Sequence, residues 1–489
     1  MALLALVIAL GPGVPAMFRA DGDVGRHIRV GREMLASGEI PRVDSLSHTR
    51  PGGTWVPKEW ASQLAMAAAD RAFGLSGVAT LASILFAASV WLTFLIAKTG
   101  GAGYGFSMLA AVLSLLLQLV HLIPRPHLVT TTLLALVVLL LARTRYVESG
   151  SGSLRVLFAL PVVFAAWVNL HGGFMIGLVV LGLFAADAWV GVLFGDTGLR
   201  RATALTAAGA ASALATLLNP VGIGIWSHVT RHMGNSFFMD ITREFQSPDF
   251  HAAYGRLFLL TIVSTAVLVG WRRPLIQRIE GWLYLLGLVA ALTSARHIAV
   301  FAVVSVPWIA VWMSRATESA AREGVRPAER LEERGANLAA LSPRTGPALP
   351  LLLGGLAIYL AVGPYAERAR FDPAAFPVSA LESMPPENFA PEVFNQMRWG
   401  GYLLYRYPDI RIFMDGHADF FGEDLTREYL SIRHLAPGWQ ELLDRYAVNW
   451  SLTMPMAPIT QALDLSPDWE RVYADETAVI HVRAHLYQD

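Results

Sequence analysis

The stretch Arg19–Trp60 reads RADGDVGRHIRVGREMLASGEIPRVDSLSHTRPGGTWVPKEW. It is the first polar segment after an apolar start, and it begins with two aspartates spaced two residues apart, Asp21 and Asp23. The chain around it is apolar: 54% of its 489 residues are hydrophobic and only 16% are charged, against roughly 25% in soluble domains. This composition predicts an α-helical polytopic membrane protein in which the stretch is a loop outside the bilayer.

Composition also excludes several functions. The net charge is zero and no nucleic-acid-binding motif is present, so no nucleic-acid partner is predicted. The absence of cysteine excludes disulfides, thiolate metal sites and cysteine nucleophiles. The apolar start, 1–18, is either a signal peptide or an uncleaved first helix, and the lack of Lys or Arg before it favours the helix. Both interpretations place the following loop outside.

Apolar runs of about 17 to 25 residues are long enough to cross a bilayer. Polar breaks separate eleven such runs in this chain, which we predict as about eleven transmembrane helices. They lie near 1–18, 77–97, 104–122, 128–143, 155–170, 174–194, 202–218, 256–270, 279–295, 297–314 and 347–363. Lys and Arg concentrate in every second loop, which marks those loops as cytoplasmic.

The sequence predicts a protein of the cell inner or plasma membrane that has two domains. The transmembrane domain covers 1–363, with its first outer loop at 19–76. A mixed-charge cytoplasmic linker, 315–346, is predicted as a surface helix without a catalytic role. From 364 to 489 the composition is that of a soluble domain, and short β-like runs at 411–414 and 478–482 flank a helical run at 439–446. An extracytoplasmic α/β domain is therefore predicted.

The thirteen histidines all fall on the outer side of this topology or at outer helix ends. Helix ends attract polar residues in general, but none of these histidines lies at a predicted inner helix end. This distribution predicts that any chemistry is on the outer face.

Asp21 and Asp23 are the first candidates for that chemistry. Two carboxylates this close can hold a divalent cation such as Mg or Mn, or one can act as a general base while the other positions it. Arg26 and His27 follow directly and are predicted to contact an anionic group of the substrate. The alternative is an interfacial loop whose charges are only solvated.

The other outer turns contain arginine and histidine. Arg binds phosphate through two parallel hydrogen bonds, so a lipid-phosphate clamp at the bilayer surface is predicted here. Its residues are Arg125, His127, Arg296 and His297, and His171 in a further outer turn is a separate candidate for substrate binding. The alternative for the arginines is snorkelling to the interface without a ligand. For His171 the following Gly pair allows either close approach to a ligand or tight helix packing.

Further candidates lie later in the chain. Glu244 adds a carboxylate in the outer loop 219–255. Trp399, next to a Gly pair, is either a flat binding platform or part of the core. Asp415 alternates with His417 and Asp419, which on an extended segment would put all three on one face, a spacing that suits metal or substrate ligands. The alternative is an Asp-Gly turn with solvated neighbours.

The motif D-x-D-x-x-x-H-x-R at 21–29 resembles the first extracytoplasmic loop of the GT-C superfamily of integral-membrane glycosyltransferases, and the layout is nearest to that of oligosaccharyltransferase catalytic subunits. Ile241–Glu244 is similar to the short Thr/Ser-x-x-Glu motif of those enzymes. Arg296 is placed like their transmembrane arginine. The stretch Arg398–Tyr402 lies where they have a Trp-Trp-Asp-Tyr-Gly motif.

This resemblance implies a lipid-linked sugar donor, carried on a polyprenyl phosphate or diphosphate, and in many members a divalent cation. Asp21 or Asp23 would then be the catalytic base or a metal ligand. Glu244 would be a further ligand or an acceptor contact, and Arg296 would contact the phosphate.

Two departures from the family pattern narrow the prediction. The acidic residue of the Trp-Trp-Asp-Tyr-Gly motif is replaced by Gly400 or Gly401, and Arg125 and His127 stand where a second acidic motif is expected. Asparagine-linked protein glycosylation is therefore not predicted. The sequence instead predicts the transfer of a sugar to a glycan, lipid or protein acceptor, with inversion at the anomeric carbon.

Three other classes are weighed against this function. A lipid-linked glycan polymerase or ligase would also use outer-face Arg and His but needs no acidic pair. A non-catalytic relative would bind glycan through its outer domain. A transporter is disfavoured, because Asp187 is the only acidic residue clearly inside a predicted span.

Overall fold

In the computed structural model, the described residues are 13–147, 154–233, 235–341 and 366–486. The chain forms two compact units. The bundle unit comprises Met1–Leu10, Ala82–Leu122 and Pro126–Tyr359, and the sheet unit comprises Gly11–Leu81, Ile123–Arg125 and Leu360–Asp489. The polar first loop and the C-terminal residues belong to the same unit, although the sequence predicted a domain boundary at 363.

The described residues are mostly helical. In chain order the α-helices are α1 (Gly13–Ala20), α2 (Asp23–Ser37), α3 (Trp60–Thr99), α4 (Tyr104–Gln118), α5 (His127–Tyr146), α6 (Ala159–Leu170), α7 (Phe174–Leu193), α8 (Leu199–Ala215), α9 (Gly224–Met233), α10 (Ser236–Ile241), α11 (Ala253–Arg272), α12 (Arg278–Thr293), α13 (Ile298–Val304), α14 (Val306–Arg322), α15 (Arg326–Leu341), α16 (Val378–Ser383), α17 (Gly400–Arg406), α18 (Ala418–Arg433), α19 (Trp439–Arg445) and α20 (Pro458–Asp464).

Five of these helices are long and apolar enough to cross a bilayer, namely α3, the helical segment Tyr104–His121 that contains α4, α5, α7 and α11. The segment Ala295–Val304 and α14 pass the same test as a pair, bent by 46°. Shorter helices, α6, α8 and α12, lie at three further predicted spans. Multiple membrane-spanning helices are thus confirmed. The spans predicted at 1–18 and 347–363 lie largely or wholly outside the described residues, and the number eleven stays a prediction.

The sheet unit contains a mixed five-stranded sheet. Its strands are β1 (Glu392–Asn395), β2 (Arg411–Ile412), β3 (Trp450–Thr453), β4 (Trp469–Ala474) and β5 (Val479–Arg483), in the order β2-β1-β3-β5-β4. Strand β1 is parallel to both β2 and β3, whereas β5 is antiparallel to β3 and β4. β2, β5 and α19 lie where the sequence predicts strands and a helix, so the α/β character of the C-terminal region is confirmed.

Glycines set how closely α2 and α17 approach each other. A Cβ on Gly25 would lie 2.0 Å from the carbonyl oxygen of Gly401, and one on Gly401 would lie 2.0 Å from that of Gly22. Real side chains never come that close, so only glycine permits this packing. The Gly pair at 400–401 is therefore a packing surface, and it brings the start of α2 against the loop that follows β2.

The bundle unit contains a buried carboxylate, Glu280, in the first turn of α12. Its side chain is fully buried. Oε1 accepts hydrogen bonds from Tyr146 (2.9 Å) and Arg315 (2.8 Å), and Oε2 accepts from Trp312 (2.9 Å) and Arg315 (2.8 Å). The same oxygen accepts from the backbone N–H of Gln277 in a reciprocal cap of the helix start. This carboxylate is fully satisfied.

Candidate active site

The acidic pair lies at the start of α2, in the sheet unit. Asp21 and Asp23 are 7% and 8% exposed. Asp21 Oδ1 accepts the backbone N–H of Asp23 at 3.0 Å, which fixes one carboxylate beside the other. Asp23 is in the first helical turn, where the helix dipole stabilises a negative charge. The sequence prediction that the two carboxylates act together thus has a geometric basis.

Arg125 binds both carboxylates. Its Nε and Nη2 donate to the two oxygens of Asp21, and Nη2 also lies 2.9 Å from Asp23 Oδ2. A guanidinium that meets a carboxylate through two parallel hydrogen bonds holds it in a fixed orientation. Arg125 was predicted to bind a lipid phosphate, and the structure instead places its guanidinium on the acidic pair.

A second ion pair lies beside the first. Arg26 is 4% exposed, its Nε is 3.0 Å from Asp415 Oδ2, and its Nη2 is 3.7 Å from Asp23 Oδ2. Among the described residues, Arg26 Nη1 has no hydrogen-bond partner, and Nε is not aligned for a hydrogen bond despite its short distance. Buried donors are almost always paired in proteins, so this guanidinium has unused hydrogen-bonding capacity next to the carboxylates.

Asp415 is the most deeply buried carboxylate of this group, at 1% exposure. Its Oδ1 accepts the backbone N–H of His417 at 2.8 Å. Burial raises the pKa of Asp415 to about 7; the Arg26 guanidinium opposes the rise, and the negative charge of Asp23 adds to it. A carboxyl group that titrates near neutral pH can exchange a proton under working conditions.

His27 lies in the same buried region but carries no charge. Gln63 Nε2 lies 3.3 Å from its Nδ1. Burial, reinforced by the positive charges of Arg26 and Arg125, lowers the pKa of His27 well below its ordinary value of 6.5. At neutral pH this imidazole is therefore uncharged, so it would meet the predicted anionic group by hydrogen bonding rather than by charge.

Asp415, His417 and Asp419 do not share one face of an extended segment as predicted. Helix α18 begins at Ala418, so Asp419 lies in its first turn, whereas the other two are in the preceding loop. Asp419 accepts a hydrogen bond from Lys58 and lies 3.4 Å from His417 Nε2. The polar cluster thus continues from Asp415 to Lys58 of the first loop.

Trp399 is part of the core. Its side chain is fully buried, and its indole N–H donates to the carbonyl oxygen of Ala375 at 2.9 Å. Of the two interpretations open from the sequence, the structure agrees with core packing and not with a flat binding platform.

Two predicted site residues come together in the bundle unit. Arg296 Nη1 lies 3.8 Å from Glu244 Oε1, and its guanidinium stacks over the ring of Phe245 at 4.8 Å. The hydroxyl of Ser294 donates to the carbonyl oxygen of Glu244 at 2.9 Å. The motif loop at 241–244 is thus held against the turn that carries Arg296. Both side chains are about one third exposed.

Three of the four histidines predicted to contact substrate lie in the bundle unit and bond to nearby backbone. His127 Nε2 is 2.9 Å from the carbonyl oxygen of His121, and His297 Nδ1 is 3.3 Å from that of Ala290. His171 Nδ1 accepts the backbone N–H of Gly173 at 3.1 Å. The hydroxyl of Thr130 also lies 2.7 Å from His171 Nδ1, and these contacts together orient the rings.

The arrangement of Asp21 and Asp23 does not fit a divalent cation. Arg125 already binds both carboxylates, and a divalent ion about 4 Å from a guanidinium is repelled by on the order of several kcal/mol. Among the described residues, no group of three or more His, Asp and Glu side chains is placed to hold a metal ion. The cation implied by the family resemblance would have to displace Arg125.

Sequence reasoning missed one residue that shapes this site, Gly416. A Cβ at this position would lie 2.6 Å from Asp23 Oδ1, so only glycine lets the loop after β2 approach the Asp23 carboxylate. The signal was the Asp-Gly dipeptide at 415–416, which by itself also indicates an ordinary turn.

No protein-family model matches the chain, and no curated protein matches it in sequence. Solved structures do match in fold. The oligosaccharyltransferase AglB from Archaeoglobus fulgidus, in complex with an inhibitory peptide and a dolichol-phosphate, has a TM-score of 0.56 and 12% identity over 100% of this chain and 75% of that chain. ArnT from Cupriavidus metallidurans, bound to undecaprenyl phosphate, has a TM-score of 0.52 and 15% identity over 100% of this chain and 98% of that chain. The chain therefore has the GT-C fold predicted from the sequence resemblance.

Proposed function

We propose that this protein is an inverting GT-C-type glycosyltransferase that moves a sugar from a polyprenyl-phosphate-type donor to an acceptor on the outer face of the membrane. The observation that carries the proposal is the buried acidic pair at the start of α2, held by arginines and next to a carboxyl group with a pKa near 7. Two solved structures of the same fold contain a polyprenyl-type lipid phosphate, which supports a donor of this class.

The step is a direct displacement. A carboxylate of the pair takes the proton of an acceptor hydroxyl, and the hydroxyl oxygen attacks the anomeric carbon. The bond between that carbon and the lipid phosphate oxygen breaks, and the lipid phosphate leaves with its electron pair. One displacement inverts the anomeric centre, and no covalent enzyme intermediate forms.

Asp23 is the better candidate for the base. Both oxygens of Asp21 accept from Arg125, and one also accepts the N–H of Asp23. Asp23 meets the arginines through Oδ2, at 3.7 and 2.9 Å, so these ion pairs engage one of its oxygens, whereas the ion pair of Asp21 engages both. A base needs a lone pair within reach of the proton that it accepts. We therefore assign Asp23 as the base and Asp21 as the residue that positions it.

The leaving phosphate requires positive charge. Arg296 in the bundle unit is about one third exposed and is paired with Glu244 only at 3.8 Å, so its guanidinium can exchange this partner for a phosphate. We assign it to the donor phosphate, and Glu244 to the acceptor or to the orientation of Arg296. The acceptor is a glycan, a lipid or a protein hydroxyl.

The test is sugar transfer by purified protein in detergent from a panel of polyprenyl-phosphate sugars. We expect turnover with at least one donor, and a loss of roughly 10²- to 10⁴-fold in Asp23→Asn, the range for removal of a general base. Asp409→Asn is the matched control, because Asp409 lies in an exposed turn of the same unit and should transfer at the wild-type rate.

Two outcomes would contradict the proposal. Wild-type turnover in a correctly folded Asp23→Asn variant would exclude Asp23 as the base. No turnover with any donor would favour a polymerase or ligase reaction, or a non-catalytic role in glycan binding.

A further inference from the structure

The acidic pair, Asp21 and Asp23, already binds a positively charged side chain. The guanidinium of Arg125 lies between the two carboxylates, with Nε and Nη2 on Asp21 and Nη2 at 2.9 Å from Asp23 Oδ2. One group therefore contacts and aligns both carboxylates, which is the positioning role that a divalent ion has where two carboxylates share it.

The site also contains a second cation without a metal. Two guanidinium groups, those of Arg125 and Arg26, contact the carboxylates of Asp21, Asp23 and Asp415. A divalent ion at the pair would add two positive charges next to both arginines, with no further carboxylate in the described chain arranged to complete its coordination. Hard cations such as Mg²⁺ need about six oxygen ligands, so water would have to supply those that the two carboxylates do not.

We propose that Arg125 is the resident cation of this site, a positioning residue that holds Asp21 and Asp23 in their working geometry, and that the pair functions without a divalent metal. This inference rests on the proposed function for its meaning in catalysis, but the occupancy of the acidic pair does not depend on turnover.

The position of Arg125 supports a dedicated role. It is contributed by a three-residue segment, Ile123–Arg125, that belongs to the sheet unit although the residues on both sides of it belong to the bundle unit. The side chain is 28% exposed, whereas its partners Asp21 and Asp23 are about a tenth exposed. An arginine that only snorkelled to the interface would not need to bind two buried carboxylates.

The experiment titrates Mn²⁺ against purified protein and counts bound ions by electron paramagnetic resonance. We expect wild type and Asp21→Asn to bind the same number of ions. Arg125→Ala should bind one ion more, and Arg125→Ala/Asp21→Asn should lose it. Arg427→Ala is the matched control, because Arg427 forms an exposed ion pair with Glu423 in the same unit, and it should behave as wild type.

Transfer assays add a readout that a merely structural residue would not change. Arg125→Ala should lose roughly 10- to 100-fold in transfer, as variants lacking a residue that orients a catalytic group do, and Mn²⁺ should restore part of it. Arg125→Lys, which keeps the charge but not the fork, should lie between Arg125→Ala and wild type.

One ion bound by wild type and lost in Asp21→Asn would overturn the inference, as would the absence of an additional ion in a folded Arg125→Ala protein. If Arg125→Ala does not fold, the comparison of wild type with Asp21→Asn decides alone. If no donor is turned over but the Mn²⁺ counts are as expected, the proposed function fails while the inference stands.

Discussion

Two buried carboxylate and arginine clusters in this protein differ in how completely they are satisfied. In the bundle unit, each oxygen of Glu280 accepts at least two hydrogen bonds at 2.8 to 3.1 Å. In the sheet unit, Arg26 Nη1 has no partner among the described residues, and Asp415 accepts a single aligned hydrogen bond, from a backbone N–H.

This difference distinguishes the Glu280 cluster, which stabilises the fold, from the Arg26 and Asp415 cluster, which belongs to the candidate site. A satisfied buried carboxylate has only one stable arrangement, so it fixes the packing of the helices around it. An unsatisfied cluster retains hydrogen-bonding capacity for a substrate or a proton, which is why buried groups without partners concentrate at functional sites. Breaking each cluster in turn should therefore have opposite effects on stability and activity.

The largest effect on stability is expected from Glu280→Ala. It leaves Arg315 without its carboxylate and Trp312 and Tyr146 without an acceptor, and loss of one partner of a buried pair costs about 3 to 5 kcal/mol. The free energy of unfolding, measured by chemical denaturation in mixed micelles, should fall by about this amount.

Glu323→Ala is the control, because Glu323 pairs with Arg272 at the surface with 57% of its side chain exposed. Surface pairs contribute about 0 to 1 kcal/mol. Equal losses of stability in the two variants would contradict a structural role for Glu280.

A smaller effect is expected from Arg26→Met. Arg26 is as buried as the groups around Glu280, but its partner Asp415 can take up a proton instead of remaining as an unpaired charge. At pH 6 the free energy of unfolding should therefore fall by less than about 1.5 kcal/mol, whereas transfer should be lost because the guanidinium also faces Asp23. Arg427→Met, at an exposed ion pair, is the control for both measurements.

If the free energy of unfolding fell as much in Arg26→Met as in Glu280→Ala, the proposed difference between the two clusters would be wrong. It would mean that the Arg26 cluster is a structural pair, and that its unsatisfied donors do not mark a site.

The smallest effect is a change in the pH dependence of stability in Asp415→Asn. The pKa of Asp415 is raised from its ordinary value of 3.8 to about 7 by burial. A raised pKa in the folded state means that the folded protein binds more protons than the unfolded chain between these values, so the stability due to this group is present at low pH and is lost as pH rises through about 7.

The melting temperature of wild type minus that of Asp415→Asn should therefore fall by about 3 °C between pH 5 and pH 8. His27, whose pKa is lowered, has the opposite pH dependence, but it is common to both proteins and is removed by the subtraction. A difference that is constant with pH would show that Asp415 is ionised throughout this range.

Much of the architecture follows from local sequence. The apolar runs predict membrane-spanning helices because length and composition alone decide whether a segment can cross hydrocarbon. The β-like runs at 411 and 478 and the helical run at 439 were placed correctly for a similar reason, since each depends on the pattern of a few adjacent residues. The sequence also predicted that Asp21 and Asp23 act together, because only Gly22 separates them in the chain.

The sequence did not show what surrounds that pair. Arg125 lies about a hundred residues away and was read as a phosphate clamp, and its position in place of a second acidic motif was read as a loss rather than as a substitute charge. The sequence left the Gly pair at 400–401 open between a binding platform and core packing, and only the structure shows that it packs against Gly22 and Gly25.

By itself, then, the sequence determined the class of protein, its helices and strands, and the acidic motif, because all of these depend on residues close together along the chain. Only the tertiary structure decided that Arg125 binds the acidic pair, that Asp415 lies beside Arg26, and that burial brings its pKa near neutrality. Those properties depend on distance and solvent exclusion between segments up to about 390 residues apart, and no local pattern encodes them.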